Sequence, residues 1–424
     1  MSALRRLGVA GALLLALPAF ALRAQDTSNV PRPKLALGVD SNSAQANYKY
    51  GVETVRTNPD EAVRAFYWAS RLDPTSGDAM YALRAATILA MSPKDLQSYV
   101  TQWQSQRSPE QLRLDSLVAR AYAIDPFVFC NFDVALAERM TEAEILAANP
   151  KIEPRMLRRA VAMRVHLGSN WAWLLYTQGR FNEALEAYAA EIRLQPMTFK
   201  DKKLNDRVTK AHTAKMLVFH AERGRIFFMV DSLDSARAEL TAAIDGMRAI
   251  DDSKELLVLY QSKAMLLQSL GMIEERAHHP EQARVAYGAA LQEDLAFYAA
   301  HTRLAQLALA ENDTTSALVE MELAVQLAPG DPALRYRYAD ALVHARRDGD
   351  EATQLRKAIA LDPWYGAPHL LLARIADVEQ YTDDAIDEYR KYLVVASRTD
   401  IQYLVAKERL SKLTSTVASS QAKQ

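Results

Sequence analysis

One spacing dominates the second half of this chain, where similar residue pairs recur every 34 residues. The pairs are Leu270-Gly271, Leu304-Ala305, Tyr338-Ala339 and Leu372-Ala373, each a larger residue followed by a very small one. Two further series keep this interval, one through Tyr287, Met321, Leu355 and Tyr389, the other through Ala290, Ala324, Ala358 and Tyr392. Because three positions of each unit agree in phase, we expect stacked repeats that bury a shared apolar face.

Earlier units show the residues of a helical hairpin. In one of them Trp171-Ala172-Trp173-Leu174-Leu175-Tyr176 is followed by a turn at Gln178-Gly179-Arg180 and then by Ala184, Tyr188 and Gln195-Pro196. Residues 43–76 have the same order of features, with Ala62 and Phe66 before Pro74. This pattern resembles the tetratricopeptide repeat (TPR) family over most of residues 43–399. The resemblance implies an all-α fold, a right-handed superhelical solenoid of TPR helix-turn-helix hairpins.

The repeats and their interruptions divide the chain into six segments. We predict a signal peptide over 1–24, a disordered linker over 25–42, a TPR-like repeat with divergent helical hairpins over 43–167, TPR repeats with long connecting helices over 168–250, four in-register TPR repeats over 264–399, and a capping helix with a disordered tail over 400–424. A polar terminal helix is expected because the last repeat of a solenoid has no neighbour to cover its face.

The first two dozen residues have the three parts of an export signal. Arg5 and Arg6 precede an apolar run from Leu7 to Leu17, and small residues follow in Ala19-Phe20-Ala21 and Leu22-Arg23-Ala24. The apolar run is shorter than the roughly 20 residues that a membrane-spanning helix needs. We therefore predict cleavage after Ala21 or Ala24 and a bacterial protein that is exported, periplasmic or secreted, and soluble after cleavage.

The charge balance argues against a nucleic-acid-binding protein, and the cysteine content excludes a disulfide within the chain. Lys plus Arg number 51 against 52 Asp plus Glu, so the chain lacks the basic excess of a nucleic-acid-binding protein. Hydrophobic residues make up 50% and charged residues 24%, which is typical of packed amphipathic helices. Cys130 is the only cysteine, so no disulfide can form within the chain.

The sequence contains no motif that would support catalysis. It has no glycine-rich phosphate loop, no G-x-S-x-G, no H-E-x-x-H and no C-x-x-C. His278 and His279 are adjacent in an expected turn, where neighbouring side chains usually point apart and do not share a metal ion. We predict a non-enzymatic protein with no catalytic residues, no cofactor and no bound metal.

Each in-register unit departs from the family at one position of its first helix. Where the family carries tryptophan, this chain has Leu267, His301, Arg335 and His369. We expect His301 and His369 to pack or to form hydrogen bonds between repeats rather than to bind a metal ion.

Partner recognition is expected on the first helices of the hairpins, because in the TPR family these line the concave groove. The candidate groove residues are Trp173, Tyr176, Gln268, Met272, Arg303, Gln306, Tyr336, Arg337, Asp340, Leu370 and Arg374. Arginine can form paired hydrogen bonds with carboxylates, and Tyr and Met provide apolar contact area. We therefore predict a scaffold that binds a partner protein's peptide or helix, in cell-envelope assembly or trafficking.

A second candidate surface is basic. Two basic stretches lie within 151–215, and the second contains the candidate residues Lys200, Lys202, Lys203, Arg207 and Lys210. Such a surface can attract anionic lipid headgroups or an acidic polysaccharide, which would make the protein a peripheral envelope adaptor. The two alternatives differ in salt dependence, since charge-driven binding weakens steeply as salt is added.

Overall fold

The structure is a computed structural model that describes residues 30–102, 109–128, 133–166, 170–194, 198, 200–249, 262–347 and 349–421. In these ranges the chain forms twenty α-helices and no β-strand. None of these helices is long and apolar enough to cross a membrane. The predicted signal peptide, residues 1–24, and Cys130 lie outside the described residues.

The first seven helices occupy the segment for which we predicted one repeat and divergent hairpins. They are α1 (Ala44–Thr54), α2 (Pro59–Leu72), α3 (Gly77–Ala90), α4 (Pro93–Gln102), α5 (Pro109–Ile124), α6 (Asp133–Ala148) and α7 (Pro154–His166). Helices α1 and α2 form a hairpin, whereas α3 packs on α5 and α4 packs on α6. We call α1–α6 the N-terminal unit.

The remaining helices form six consecutive hairpins and a terminal helix. They are α8 (Asn170–Thr177), α9 (Phe181–Ile192), α10 (Lys202–Met229), α11 (Leu233–Ala249), α12 (Lys263–Arg276), α13 (Pro280–Glu293), α14 (Tyr298–Ala310), α15 (Thr314–Leu327), α16 (Pro332–His344), α17 (Asp350–Leu361), α18 (Gly366–Val378), α19 (Thr382–Val395) and α20 (Ile401–Gln421). Each hairpin also packs on the next one. The prediction of an all-α helical repeat solenoid is therefore confirmed.

A small residue facing a large one brings the two helices of a hairpin together. A methyl group placed on Gly271 of α12 would lie 2.3 Å from a ring carbon of Tyr287, which is completely buried. The same approach occurs between Gly51 and Phe66, where the distance would be 2.6 Å. This contact explains the 34-residue recurrence, because each hairpin needs a gap opposite its bulky residue.

The turns within the hairpins also repeat. His278, Asn312, Arg346 and Gln380 all have positive φ values between 53° and 65°, and they are spaced 34 residues apart. The left-handed conformation reverses the chain in a single residue, so that the second helix returns along the first. Glycine occupies the corresponding place in the earlier hairpin, at Gly179 with φ 73°.

Near both ends of the described chain, residues that we predicted to be disordered have a defined structure. Helix α20 continues to Gln421 and thus covers most of the segment that we predicted as a capping helix with a disordered tail. At the other end, the linker predicted as disordered is held in place over residues 30–42, which we call the N-terminal strap. The Nε1 of Trp68 donates to the backbone carbonyls of Val30 and Pro31, at 3.1 and 3.2 Å. These contacts to a buried indole fix a segment whose composition alone indicated no structure.

Candidate functional site

The first helices of four hairpins, α10, α12, α14 and α16, contact one segment of the same chain. This segment is the last turn of α5 with the loop after it, residues 120–128, and we call it the α5 end. We call the surface that these four helices present to it the groove. Most of the predicted partner-binding residues lie on these helices, so the N-terminal unit occupies part of the predicted binding surface.

Side chains of the groove donate hydrogen bonds to backbone carbonyls of the α5 end. The Nε2 of Gln268 lies 2.8 Å from the carbonyl oxygen of Ala123, the Nη2 of Arg303 lies 3.2 Å from that of Ile124, and the Nη2 of Arg225 lies 3.0 Å from that of Pro126. The last four carbonyls of a helix have no partner within the helix. Gln268 and Arg303 therefore complete the carboxyl end of α5.

Two side chains of the α5 end add contacts of their own. The Nε of Arg120 lies 3.2 Å from an Oδ of Asp331, the residue that caps the amino end of α16. Phe127 stacks on Phe228 of α10, with 3.9 Å between the ring centroids. Phe127 belongs to the apolar cluster of α10–α14. Arg120 and Phe127 thus anchor the two sides of the α5 end.

Arg337 borders a small cavity between the groove and the α5 end. The cavity has a volume of about 20 Å³, room for one water-sized molecule, and Arg303 and Asp331 also line it. Burial and the nearby charge of Arg303 lower the pKa of Arg337. Among the described residues, Asp331 is the carboxylate whose charge acts on Arg337, and it pairs with Arg120, so the Arg337 guanidinium keeps capacity for an acidic ligand.

Other predicted groove residues differ in how accessible they are. Met272, Gln306, Asp340 and Leu370 are half-buried, and the Met272 sulfur lies 3.5 Å from Arg303. Tyr336 packs edge-on against Tyr365, with 5.6 Å between centroids. Arg374 is exposed and donates to the side chain of Gln402 in the terminal helix. Gln306 and Arg374 are thus more open to an external ligand than Gln268.

Trp173 and Tyr176, which we proposed as aromatic anchors of the groove, belong to an apolar core. Tyr176 is completely enclosed among α8, α9 and α10 and is 3.5 Å from the sulfur of Met229. Trp173 is half-buried against the same cluster. Their helical spacing therefore reflects packing within a hairpin, and Tyr176 has no ring face available to a partner.

The predicted basic residues lie at the start of α10. Lys200, Lys202 and Lys203 are exposed, whereas the side chains of Arg207 and Lys210 lie outside the described part of the structure. Helix α10 has 28 residues against 17 in its partner α11, so its amino end extends beyond the hairpin. Helix α7 is a second basic element, with Arg155, Arg158 and Arg159 exposed and no acidic residue along its length.

The N-terminal unit also contacts the far end of the solenoid. Arg71 of α2 lies 2.7 Å from Asp362, and the rings of Trp68 and Trp364 meet edge to face at 5.0 Å. Arg32 of the strap lies over both indoles, 3.6 and 4.5 Å from their centroids, and burial lowers the pKa of Arg32 to about 10. None of these residues was among the predicted sites.

The two histidines that share a repeat position, His301 and His369, pair with glutamates. The Nδ1 of His301 lies 2.6 Å from Glu320, and that of His369 lies 2.7 Å from Glu388. Each glutamate is on the second helix of the same hairpin, so the hydrogen bond lies within a repeat and not between repeats. No group of three or more His, Cys, Asp or Glu suited to a metal ion occurs among the described residues.

Comparisons with known proteins relate the chain to solved TPR structures. Yeast Tom70 is 14% identical, with 89% of this chain and 90% of that chain covered and a TM-score of 0.40. The C-terminal part of a TPR repeat-containing protein from Cytophaga hutchinsonii is 16% identical, with coverage of 54% and 79% and a TM-score of 0.40. A TPR protein from Parabacteroides merdae is 16% identical, with coverage of 66% and 92% and a TM-score of 0.35.

Sequence comparisons add no closer relative. No protein-family model and no curated protein matches the chain. At the identities of the three structures above, none of them indicates a function for this protein.

Proposed function

We propose that this protein is an exported, non-enzymatic TPR scaffold that holds a partner protein's peptide or helix in the groove, in cell-envelope assembly or trafficking. The observation that carries the proposal is the α5 end, which Gln268 and Arg303 hold by its backbone carbonyls. Since backbone carbonyls are common to all polypeptides, the same donors suit a segment of another protein. The export signal that the sequence predicts over residues 1–24 supports an envelope location.

Arg337 supplies the groove with a contact for an acidic partner. It lines the cavity beside the α5 end and lies near the like charge of Arg303. An entering carboxylate would reduce the repulsion between the two guanidinium groups and accept paired hydrogen bonds from Arg337. A partner segment that takes the place of the α5 end would gain this contact if it carries an acidic residue beside Arg337.

A second candidate function is that of an adaptor that binds anionic lipid or polysaccharide through residues 151–215. The exposed arginines of α7, Arg155, Arg158 and Arg159, favour it, because no carboxylate on the same helix offsets them. Met156 and Met163 on this helix are also about half exposed, at 52% and 55%. A basic helix with exposed apolar side chains can lie on an anionic surface.

A capture experiment separates the two functions. The chain from Gln25 onward is immobilised and exposed to a whole-envelope extract at low and at moderate salt. An Arg337→Glu variant tests the groove, and an Arg158→Glu/Arg159→Glu variant tests the basic surface. We expect one protein to stay bound to the wild type at both salt concentrations, to be lost with Arg337→Glu and to persist with the α7 variant.

The opposite pattern would support the adaptor function. Lipid or polysaccharide held only at low salt, released by the α7 variant and unaffected by Arg337→Glu, would contradict the groove scaffold. Circular dichroism on each variant shows whether the fold is intact, so that a loss of binding can be assigned to the altered surface.

A further inference from the structure

The α5 end contacts the groove as a bound ligand contacts its receptor. Gln268 and Arg303 hold two successive carbonyls in its last turn, and Arg225 holds a third just beyond it. The carboxyl end of a helix carries unpaired carbonyls and a partial negative charge, which amide and guanidinium donors satisfy. The groove therefore recognises the carboxyl end of a helix through its backbone.

Side-chain contacts on either side of these carbonyls give the recognition its selectivity. Arg120, one turn before the helix end, pairs with Asp331 of the groove. Phe127, three residues after the helix end, stacks on Phe228 and is 5% exposed. A ligand for this surface thus presents a basic residue, then a helix end and then an aromatic residue.

The two faces of α5 differ in how easily they can separate from their surroundings. Towards α3 the contact is apolar, with Ala121 packed against Met80 and Val128 in one cluster. Towards the groove, α5 itself contributes an ion pair and backbone carbonyls that accept hydrogen bonds. The apolar contact on this side comes from the loop residue Phe127. Because largely polar contacts between units of a chain resemble transient interfaces, the groove side is the one that can open.

We propose that α5 is the resident ligand of the groove, and that a partner binds by displacing it with a helix end of the same chemistry. The inference rests on the proposed function and adds to it the class of partner: a helix that ends in the groove, with a basic residue one turn before its end and an aromatic residue after it. A segment of the same chain competes at an effective concentration of order mM. The groove is therefore open in only a small fraction of the molecules, and the partner's apparent affinity is reduced by that fraction.

The chain's own sequence provides the probe. A synthetic peptide of residues 109–128, acetylated, amidated and labelled with a fluorophore, is titrated with the protein from Gln25 onward and followed by anisotropy. Replacing Arg120→Ala in the protein removes the pair with Asp331 from the resident segment, while the peptide keeps its own Arg120. Asp331 stays satisfied by the backbone amides of Ala333 and Leu334. We expect the variant to bind the peptide at least tenfold more tightly than the wild type, about 1.4 kcal/mol.

Two further variants control the experiment. Arg113→Ala changes an exposed residue of the same helix and should bind the peptide as weakly as the wild type. Replacing Arg120→Ala in the peptide as well removes its pair with Asp331 and should weaken binding to the Arg120→Ala protein again. Equal affinity for wild type and Arg120→Ala, no effect of the change in the peptide, or no binding to any variant would each overturn the inference.

Failure of the proposed function gives a different pattern of results from failure of the resident-ligand inference. If the peptide titration gives the expected order but no envelope protein is captured by any variant, the resident-ligand inference stands and the scaffold function fails. If an envelope protein is captured through Arg337 but the peptide does not distinguish the variants, the function stands and α5 is a structural element only.

Discussion

A missing methyl group sets how closely the two helices of the α12/α13 hairpin approach. A methyl on Gly271 would lie 2.3 Å from the ring of Tyr287, which is fully buried and donates its hydroxyl to Glu275. Because the ring has no space to retreat into, we predict that Gly271→Ala destabilises the protein by about 1–3 kcal/mol, the usual cost of overpacking. Chemical unfolding followed by circular dichroism measures the change.

Gly288 is the matched control for this prediction. It lies within α13, and a methyl group there would have nothing within 4 Å. Gly288→Ala should therefore raise the free energy of unfolding, by up to about 1 kcal/mol, since alanine favours the helix more than glycine does. Equal effects of the two substitutions would contradict the assigned contact between Gly271 and Tyr287.

Single residues show clearly what the sequence could and could not predict. The pairing of Gly271 with Tyr287 was predictable because a gap and a bulky residue recur with the repeat. The contact of Arg303 with the Ile124 carbonyl was not, because 179 residues separate them and neither position shows a pattern that points to the other. The proline of Asp125-Pro126 is a helix stop, but nothing in this dipeptide indicates that α5 ends in the groove.

Within the hairpins, a hydrogen-bonded pair of histidine and glutamate links the two helices. In the α18/α19 hairpin Glu388 accepts from the Nδ1 of His369 at 2.7 Å and from the Nζ of Lys391 at 2.7 Å. Burial by itself would raise the pKa of Glu388, but these hydrogen bonds outweigh it and the pKa of Glu388 is lowered. The ionised carboxylate therefore joins the two helices.

A lowered carboxyl pKa makes this hairpin sensitive to acid. The stabilisation is complete above the unfolded pKa of about 4.3 and is lost as the pH falls through the lower folded value. We predict that wild-type thermal stability falls more steeply below pH 5 than that of Glu388→Gln, with a difference on the order of 1 kcal/mol. Melting curves at a series of pH values measure this, and Glu379→Gln, an exposed glutamate of the same hairpin, should behave as the wild type. Parallel curves for wild type and Glu388→Gln would contradict the prediction.

Whole elements show the same difference between features that the repeat encodes and contacts that are distant in sequence. The four hairpins from α12 to α19 follow the 34-residue period, since their neighbours are repeats of the same kind. The pairing of α3 with α5 and of α4 with α6 was not predicted, because it skips an element and depends on contacts that no local period encodes. The N-terminal strap was predicted as disordered for the same reason: the buried indole that orders it lies 38 residues away.

At the scale of the whole molecule, the N-terminal unit and the last hairpins are joined by residues nearly 300 positions apart. Arg71 and Asp362 lie 2.7 Å apart, with 17% and 8% of their side chains exposed. Burial raises the pKa of Asp362, and the hydrogen bond and charge of Arg71 oppose this increase. On the opposite side of the strap, Asp40 accepts from the hydroxyl of Ser397 at 2.9 Å. These contacts bring the two ends of the solenoid together.

We predict that Arg71→Ala separates the two ends without unfolding the hairpins. The substitution leaves Asp362 buried without its partner, which costs about 3–5 kcal/mol, whereas the apolar cores within the hairpins are untouched. Small-angle X-ray scattering should then show a larger radius of gyration, while circular dichroism shows unchanged helix content. A double variant, Arg71→Met/Asp362→Leu, replaces the pair by apolar side chains and should restore the wild-type radius, because removing both charges removes the desolvation cost. If Arg71→Ala keeps the wild-type radius, the Trp68–Trp364 contact, the strap and the α5 end suffice to hold the ends together, and the ion pair is dispensable for closure.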